Sequence, residues 1–167
     1  MYMTKAPDDS VTRYDTTQAY DGYTLVAPHG GTDAWLIDME GRICHRWRLA
    51  SRPGSGTTLL PNGNLLFMSL APDEKLPMTG IGGHAGGLVE LDWDGNLVWE
   101  LENPWMHHDF QRLENGNTLA LVWEELSSDM TFRVRGGFTT AEDPVQMLGD
   151  VVREFSPKGE VVHEWKS

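Results

Sequence analysis

Five short reversals, each closed by a glycine, recur along the chain and limit its fold more than any other feature. They are Met39-Glu40-Gly41-Arg42, Pro61-Asn62-Gly63-Asn64, Trp93-Asp94-Gly95-Asn96, Glu114-Asn115-Gly116-Asn117 and Pro157-Lys158-Gly159-Glu160. Asn-Gly and Asp-Gly between apolar runs mark β-hairpins, because such turns need a positive φ. The flanking runs Leu88–Trp93, Leu97–Leu101, Thr118–Trp123 and Val151–Phe155 alternate or are rich in β-branched and aromatic residues. No segment sustains a 3.6-residue apolar period, so little or no helix is expected.

The spacing of the glycines is regular in a particular way. Gly41 to Gly63 is 22 residues and Gly95 to Gly116 is 21, whereas Gly63 to Gly95 is 32 and Gly116 to Gly159 is 43. Hairpins thus alternate with a long loop and a short link. Four strands in a period of ~50 residues is the pattern of a β-propeller blade. A sandwich or a simple meander does not require the alternation of loop lengths. The expected fold is all-β: a partial β-propeller of four-stranded antiparallel blades, with about two and a half blades present. An extended N-terminal segment is expected over residues 1–22, the end of one blade over 23–47, and full blades over 57–101 and 108–165. Closure takes about 4–8 blades, and an open ring leaves apolar faces and strand edges uncovered. The missing blades are expected from a longer chain or from a homo-oligomer.

Composition narrows the partners. The 167 residues carry a net charge of −12, and 40% of them are hydrophobic, which excludes a disordered chain. The acidity argues against nucleic acid or an anionic membrane, both of which need a basic face. An anionic substrate would need a local cationic pocket. The one cysteine, Cys44, excludes an intrachain disulfide and, lying in an apolar strand pattern, is expected to be a small core residue. Met1–Ser10 lacks the apolar core of a signal peptide, and no run approaches the ~18 apolar residues of a membrane span, so a cytoplasmic location is expected.

In a blade the tight hairpins share one end, and the links and mid-blade loops share the other, which is where function is expected. The segments there are Leu49–Gly56, Ala71–Gly87, Glu102–His108 and Leu126–Gly149. The third continues as Asn103-Pro-Trp-Met-His-His-Asp-Phe110. Shifting by one repeat places Gly54 and Ser55 at the positions of His107 and His108, so the scaffold itself does not demand histidine. Imidazole can act as nucleophile, acid, base or ligand near neutral pH. His107 and His108 are therefore the candidate catalytic residues; the alternative is a structural pair bonding blade backbones. Asp109 should point away from His108 in a regular strand and is expected to orient a backbone or a neighbouring blade.

Candidate binding residues are His84, in Gly80-Ile-Gly-Gly-His-Ala-Gly-Gly87, together with Trp105, Arg133 and Arg135. The glycines around His84 would let a backbone approach a ligand closely. The arginines would supply the cationic pocket, or else a solvated loop edge. His45 and His163 fall in last-strand patterns that packing explains, and His29 lies in a turn. No Gly-Lys-Ser/Thr follows the glycines, Asp92–Asn96 lacks the rest of a calcium loop, and no CxxC or HExxH spacing occurs. No metal and no cofactor is expected.

With these residues in hand, the chain resembles the arylsulfotransferase family. The resemblance runs through Asp33–Gly41, Leu59–Leu66, Gly87–Glu100 and His107–Leu119, and covers most of residues 20–166. The blade motifs are common to many propellers; the His-His-Asp-Phe-Gln segment joined to them is more specific. The resemblance implies a six-bladed propeller. Its central histidines and an arginine would bind a sulfate ester and pass the sulfuryl group to a phenol by way of a sulfohistidine. A phenolic sulfate and a phenol are the small-molecule partners so implied. The matching positions here are His107 and His108, with His108 preferred. Exported bacterial members of the family carry a signal peptide, and Met1–Ser10 does not read as one. The chain departs from the pattern in that the family's sulfuryl-accepting histidine is expected in a later blade. The competing expectation is a non-catalytic propeller module that binds a partner or ligand on the same loop end.

Overall fold

The structure is a computed structural model that describes residues 14–72, 75–77, 80–134 and 146–166. Residues 1–13 of the expected N-terminal segment, and Arg135, lie outside the described residues. The fold is all-β, with three meandering antiparallel sheets of the propeller-blade kind. The first has β1 (Thr24–Val26), β2 (Asp33–Ile37) and β3 (Ile43–Arg48) in sequence order. The second has β4 (Pro53–Leu59), β5 (Leu65–Ser69), β6 (Gly87–Leu91) and β7 (Leu97–Glu102). The third has β8 (Met106–Arg112), β9 (Thr118–Glu125), β10 (Leu148–Phe155) and β11 (Val161–Lys166). One short helix, α1 (Ser128–Arg133), interrupts the long β9–β10 connection, and the Ser127 hydroxyl caps it by accepting from the Met130 N–H.

The five reversals share one hydrogen-bond pattern. The N–H of Asp38, Leu60, Asp92, Leu113 or Ser156 donates to the carbonyl four residues on, and the turn glycine N–H donates back to the first residue. The glycines have φ between 81° and 87°, while the residue before each keeps a negative φ. These are therefore type I turns closed by a left-handed glycine, not mirror-image turns in which the Asn is also left-handed. β4 begins at Pro53, earlier than the turn spacing implies, because the Leu70 N–H still donates to the Arg52 carbonyl there.

Contacts divide the chain into two units: residues 1–70 with 88–100, and residues 71–87 with 101–167. The core of the first is Ala34, Leu36, Trp47, Leu49, Leu65, Phe67, Val89 and Leu91. The Trp47 indole N–H is satisfied at 3.0 Å by the Asp92 carbonyl. In the second unit, Met106 pairs with Val122 and Val122 with Val151, and all three are buried on one face of their sheet. Cys44 is a correction to the sequence reading: it is exposed. It lies on β3, the edge strand of its sheet, where only Trp47 is buried. No helix of the described residues is long and apolar enough to cross a membrane.

One tether recurs. The turn residue Asn64 donates its amide to buried Glu90 on β6 at 2.7 Å, and Asn117 does the same to buried Glu154 on β10 at 2.6 Å. Removing this donor from a buried carboxylate costs on the order of 1–3 kcal/mol. Asn117→Ala should therefore lower the urea midpoint, and an unchanged midpoint would show the tether to be idle.

Candidate functional site

β8 and β9 pair from Arg112 with Thr118 to Phe110 with Ala120, then resume at His107 with Leu121. His108 and Asp109 are thus an insertion in β8, a bulge. His108 has φ 55°, the one positive φ outside glycine among the described residues. For a side-chain-bearing residue this costs on the order of 1–3 kcal/mol and persists only where neighbours enforce it. Here the His108 N–H donates to the Gly83 carbonyl at 2.8 Å, and the Ala85 N–H to the Met106 carbonyl at 2.9 Å. His84 and His107 form an antiparallel bridge between these bonds. Residues 83–85 therefore act as a short strand laid along the start of β8. The Asp109 carboxylate accepts from the Phe110 N–H at 2.9 Å, so it closes the bulge locally.

In a regular strand His107 and His108 would face opposite sides. The bulge instead brings their Nδ1 atoms to 3.0 Å, with ring planes 85° apart. The His107 ring is buried and stacks on Trp123, with centroids 4.4 Å and planes 14° apart. His108 is exposed. Both lie at the end of their sheet remote from the Asn117 and Glu160 turns.

Gly83 makes this arrangement possible. A methyl group there would overlap the His108 ring almost equally at Nε2, Cε1 and Cδ2. That pattern places Gly83 against the face of the imidazole, not against the in-plane lone pair of Nε2.

His107 Nε2 is buried and makes no hydrogen bond, and the nearest charge to it is Asp150 Oδ1 at 3.4 Å. Asp150 stands opposite Trp123 in the β9–β10 register, which brings it alongside the stacked ring. Burial holds the His107 pKa below the ordinary imidazole value; His108 pushes it the same way and Asp150 opposes. His107 is accordingly neutral near pH 7. His84 Nδ1 lies 3.1 Å from the Ile81 carbonyl, which can only accept, so its proton sits on Nδ1.

The structure thus brings His84, His107 and His108 together. Trp105 joins through its backbone: its carbonyl accepts from the Trp123 N–H at 2.8 Å. Arg133 ends α1 exposed, and among the described residues no hydrogen bond or ion pair joins it to the imidazoles. His45 stacks on Trp93 at 3.9 Å, and His45 Nε2 meets the Trp93 carbonyl at 2.9 Å. The Asp92 carboxylate is occupied by its own turn through Asn96. Among the described residues no group of three or more His, Cys, Asp or Glu is placed to hold a metal ion. Sequence reasoning missed Asp150, Trp123 and the role of Gly83.

The arrangement can present an exposed imidazole whose inner nitrogen is bonded to a second, buried and neutral imidazole. That is the equipment of an activated nitrogen nucleophile. The family model described as Arylsulfotransferase (ASST) matches residues 9–167. No curated protein matches the chain.

Proposed function

The chain belongs to the arylsulfotransferase family, and on that premise we propose that it transfers a sulfuryl group from a phenolic sulfate ester to a phenol through His108. The observation that carries this reading is the 3.0 Å Nδ1–Nδ1 contact of exposed His108 with buried His107. When His108 donates its Nδ1–H there, the lone pair stays on Nε2. That nitrogen attacks sulfur, an S–N bond forms, and the S–O bond to the aryl oxygen breaks to release phenoxide. The ring becomes a sulfoimidazolium whose Nδ1–H His107 continues to hold. The acceptor phenol then attacks sulfur, the S–N bond breaks, and the phenol proton passes to the freed Nε2 of His108 and on to solvent, from which the released phenoxide takes up its proton.

The sulfonate oxygens carry the negative charge of the substrate and need donors. His84, Trp105, Arg133 and Arg135 are the residues proposed to supply binding contacts around the pair. Closure of a propeller takes about 4–8 blades. The remaining wall of the site is therefore assigned to further blades, from a longer chain or another copy.

His108→Ala should lower turnover of a phenyl sulfate with a phenol acceptor by at least about 1,000-fold, as loss of a nucleophile does, with the far-UV spectrum unchanged. The wild-type protein, quenched without acceptor, should carry the sulfuryl group on the peptide that contains His108. Undiminished turnover in the variant would remove His108 from the reaction.

A further inference from the structure

We propose that Asp150 is the positioning residue of the histidine pair: its carboxylate fixes a proton on Nε2 of His107, which compels His107 Nδ1 to accept from His108. The catalytic consequence rests on the sulfuryl-transfer reading; the tautomer assignment does not.

The argument starts from a choice. A contact between two Nδ1 atoms at 3.0 Å needs one donor and one acceptor. Two neutral imidazoles can satisfy it in either direction. If His107 donates, its Nε2 holds a lone pair. That lone pair would be buried, 3.4 Å from an oxygen of Asp150. Two electron-rich atoms would then face each other, and the buried nitrogen would have no donor to satisfy it. If His107 accepts, its Nε2 carries hydrogen and faces the same oxygen as a donor. An ionised carboxylate can only accept, so it selects the second arrangement.

Three further observations support the choice. The His107 ring is 3% exposed, so an orphaned Nε2–H has strong reason to find an acceptor. The stack on Trp123 fixes the plane of the ring, and within that plane the flipped ring would turn carbon atoms toward both His108 and the carboxylate and lose the 3.0 Å contact. The Asp150 side chain is 68% exposed, so it can rotate into line with the ring N–H at little cost. Contacts of this kind are commonly long before substrate binds.

The result is a directed chain: Asp150 carboxylate, His107 Nε2–H, His107 Nδ1, His108 Nδ1–H, and the His108 Nε2 lone pair. It keeps His108 in the tautomer that can attack sulfur. It also sets a negative charge behind the pair when the sulfurylated ring becomes cationic.

The test reads the tautomers directly. In 15N-labelled protein, long-range proton–nitrogen correlation should show His107 protonated at Nε2 and His108 at Nδ1. Asp150→Asn, whose amide can donate as well as accept, should shift His107 toward the other tautomer. It should also lower the turnover number roughly 10- to 100-fold, the usual cost of losing an orienting partner, with KM within about twofold. Asp150→Glu should restore most of both. His107 found protonated at Nδ1 in the unaltered protein would overturn the proposal, as would unchanged spectra in Asp150→Asn. If the tautomer shifts as expected while His108→Ala stays fully active, the positioning role stands and sulfuryl transfer through His108 falls.

Discussion

Gly83→Ala is expected to cut sulfuryl transfer at least about 100-fold, the usual consequence of displacing a reacting group by an ångström, whereas Gly82→Ala is expected to remain near wild type. The two glycines are adjacent, so the comparison is well controlled. A methyl group on Gly82 meets nothing within 4 Å. A methyl group on Gly83 lands on three atoms of the His108 ring. It also carries φ 75° into a region that suits glycine. The Gly83 carbonyl is the acceptor that holds the His108 backbone in its left-handed conformation. Displacing the ring and loosening the bulge therefore act in one direction. Equal activity of the two variants in a phenyl sulfate assay would show that the exact seat of His108 is unimportant.

Gly87→Ala is expected to be the most damaging single methyl addition for stability, at about 3–5 kcal/mol. The added carbon would overlap the Leu101 carbonyl oxygen and stand 2.9 Å from both the Leu101 carbonyl carbon and Glu102 Cα. All three are backbone atoms of β7, so no rotamer change relieves the clash. The φ of 143° adds strain of its own. A small domain is stable by only about 5–15 kcal/mol, so such a loss is a large share of the whole. Gly95→Ala is the comparison: its φ of 87° is strained but nothing lies within 4 Å, and about 1–2 kcal/mol is expected. Urea titration distinguishes the two. Similar midpoints for both variants would mean that the close approach of Gly87 to β7 is readily relaxed.

The strands were legible because their signals are local. Each reversal carries its glycine in the sequence, and the alternation around Leu88–Trp93 or Thr118–Trp123 can be read without knowing what lies beyond. Cys44 misled because an apolar pattern does not say whether its strand stands at a sheet edge. The histidine pair could be singled out because the repeat has no histidine at the equivalent positions. The bulge that aims it could not. Histidine is enriched among left-handed residues, but such residues are uncommon outside glycine, and here the conformation is held by a hydrogen bond to the distant segment 83–85. Asp150 was hidden for a different reason. Register across a tight hairpin can be counted from the turn, but β9 and β10 are joined by more than twenty residues, so its pairing with Trp123 had no sequence ruler.

The Asn64–Glu90 and Asn117–Glu154 tethers have a consequence for how such a molecule can change. Each fastens the third strand of its sheet at the turn end, leaving the connection before that strand free to lengthen or shorten at the opposite end. Alignment of the third strand is thus anchored independently of the loop that precedes it. Insertions there can remodel a binding surface without sliding the scaffold beneath it.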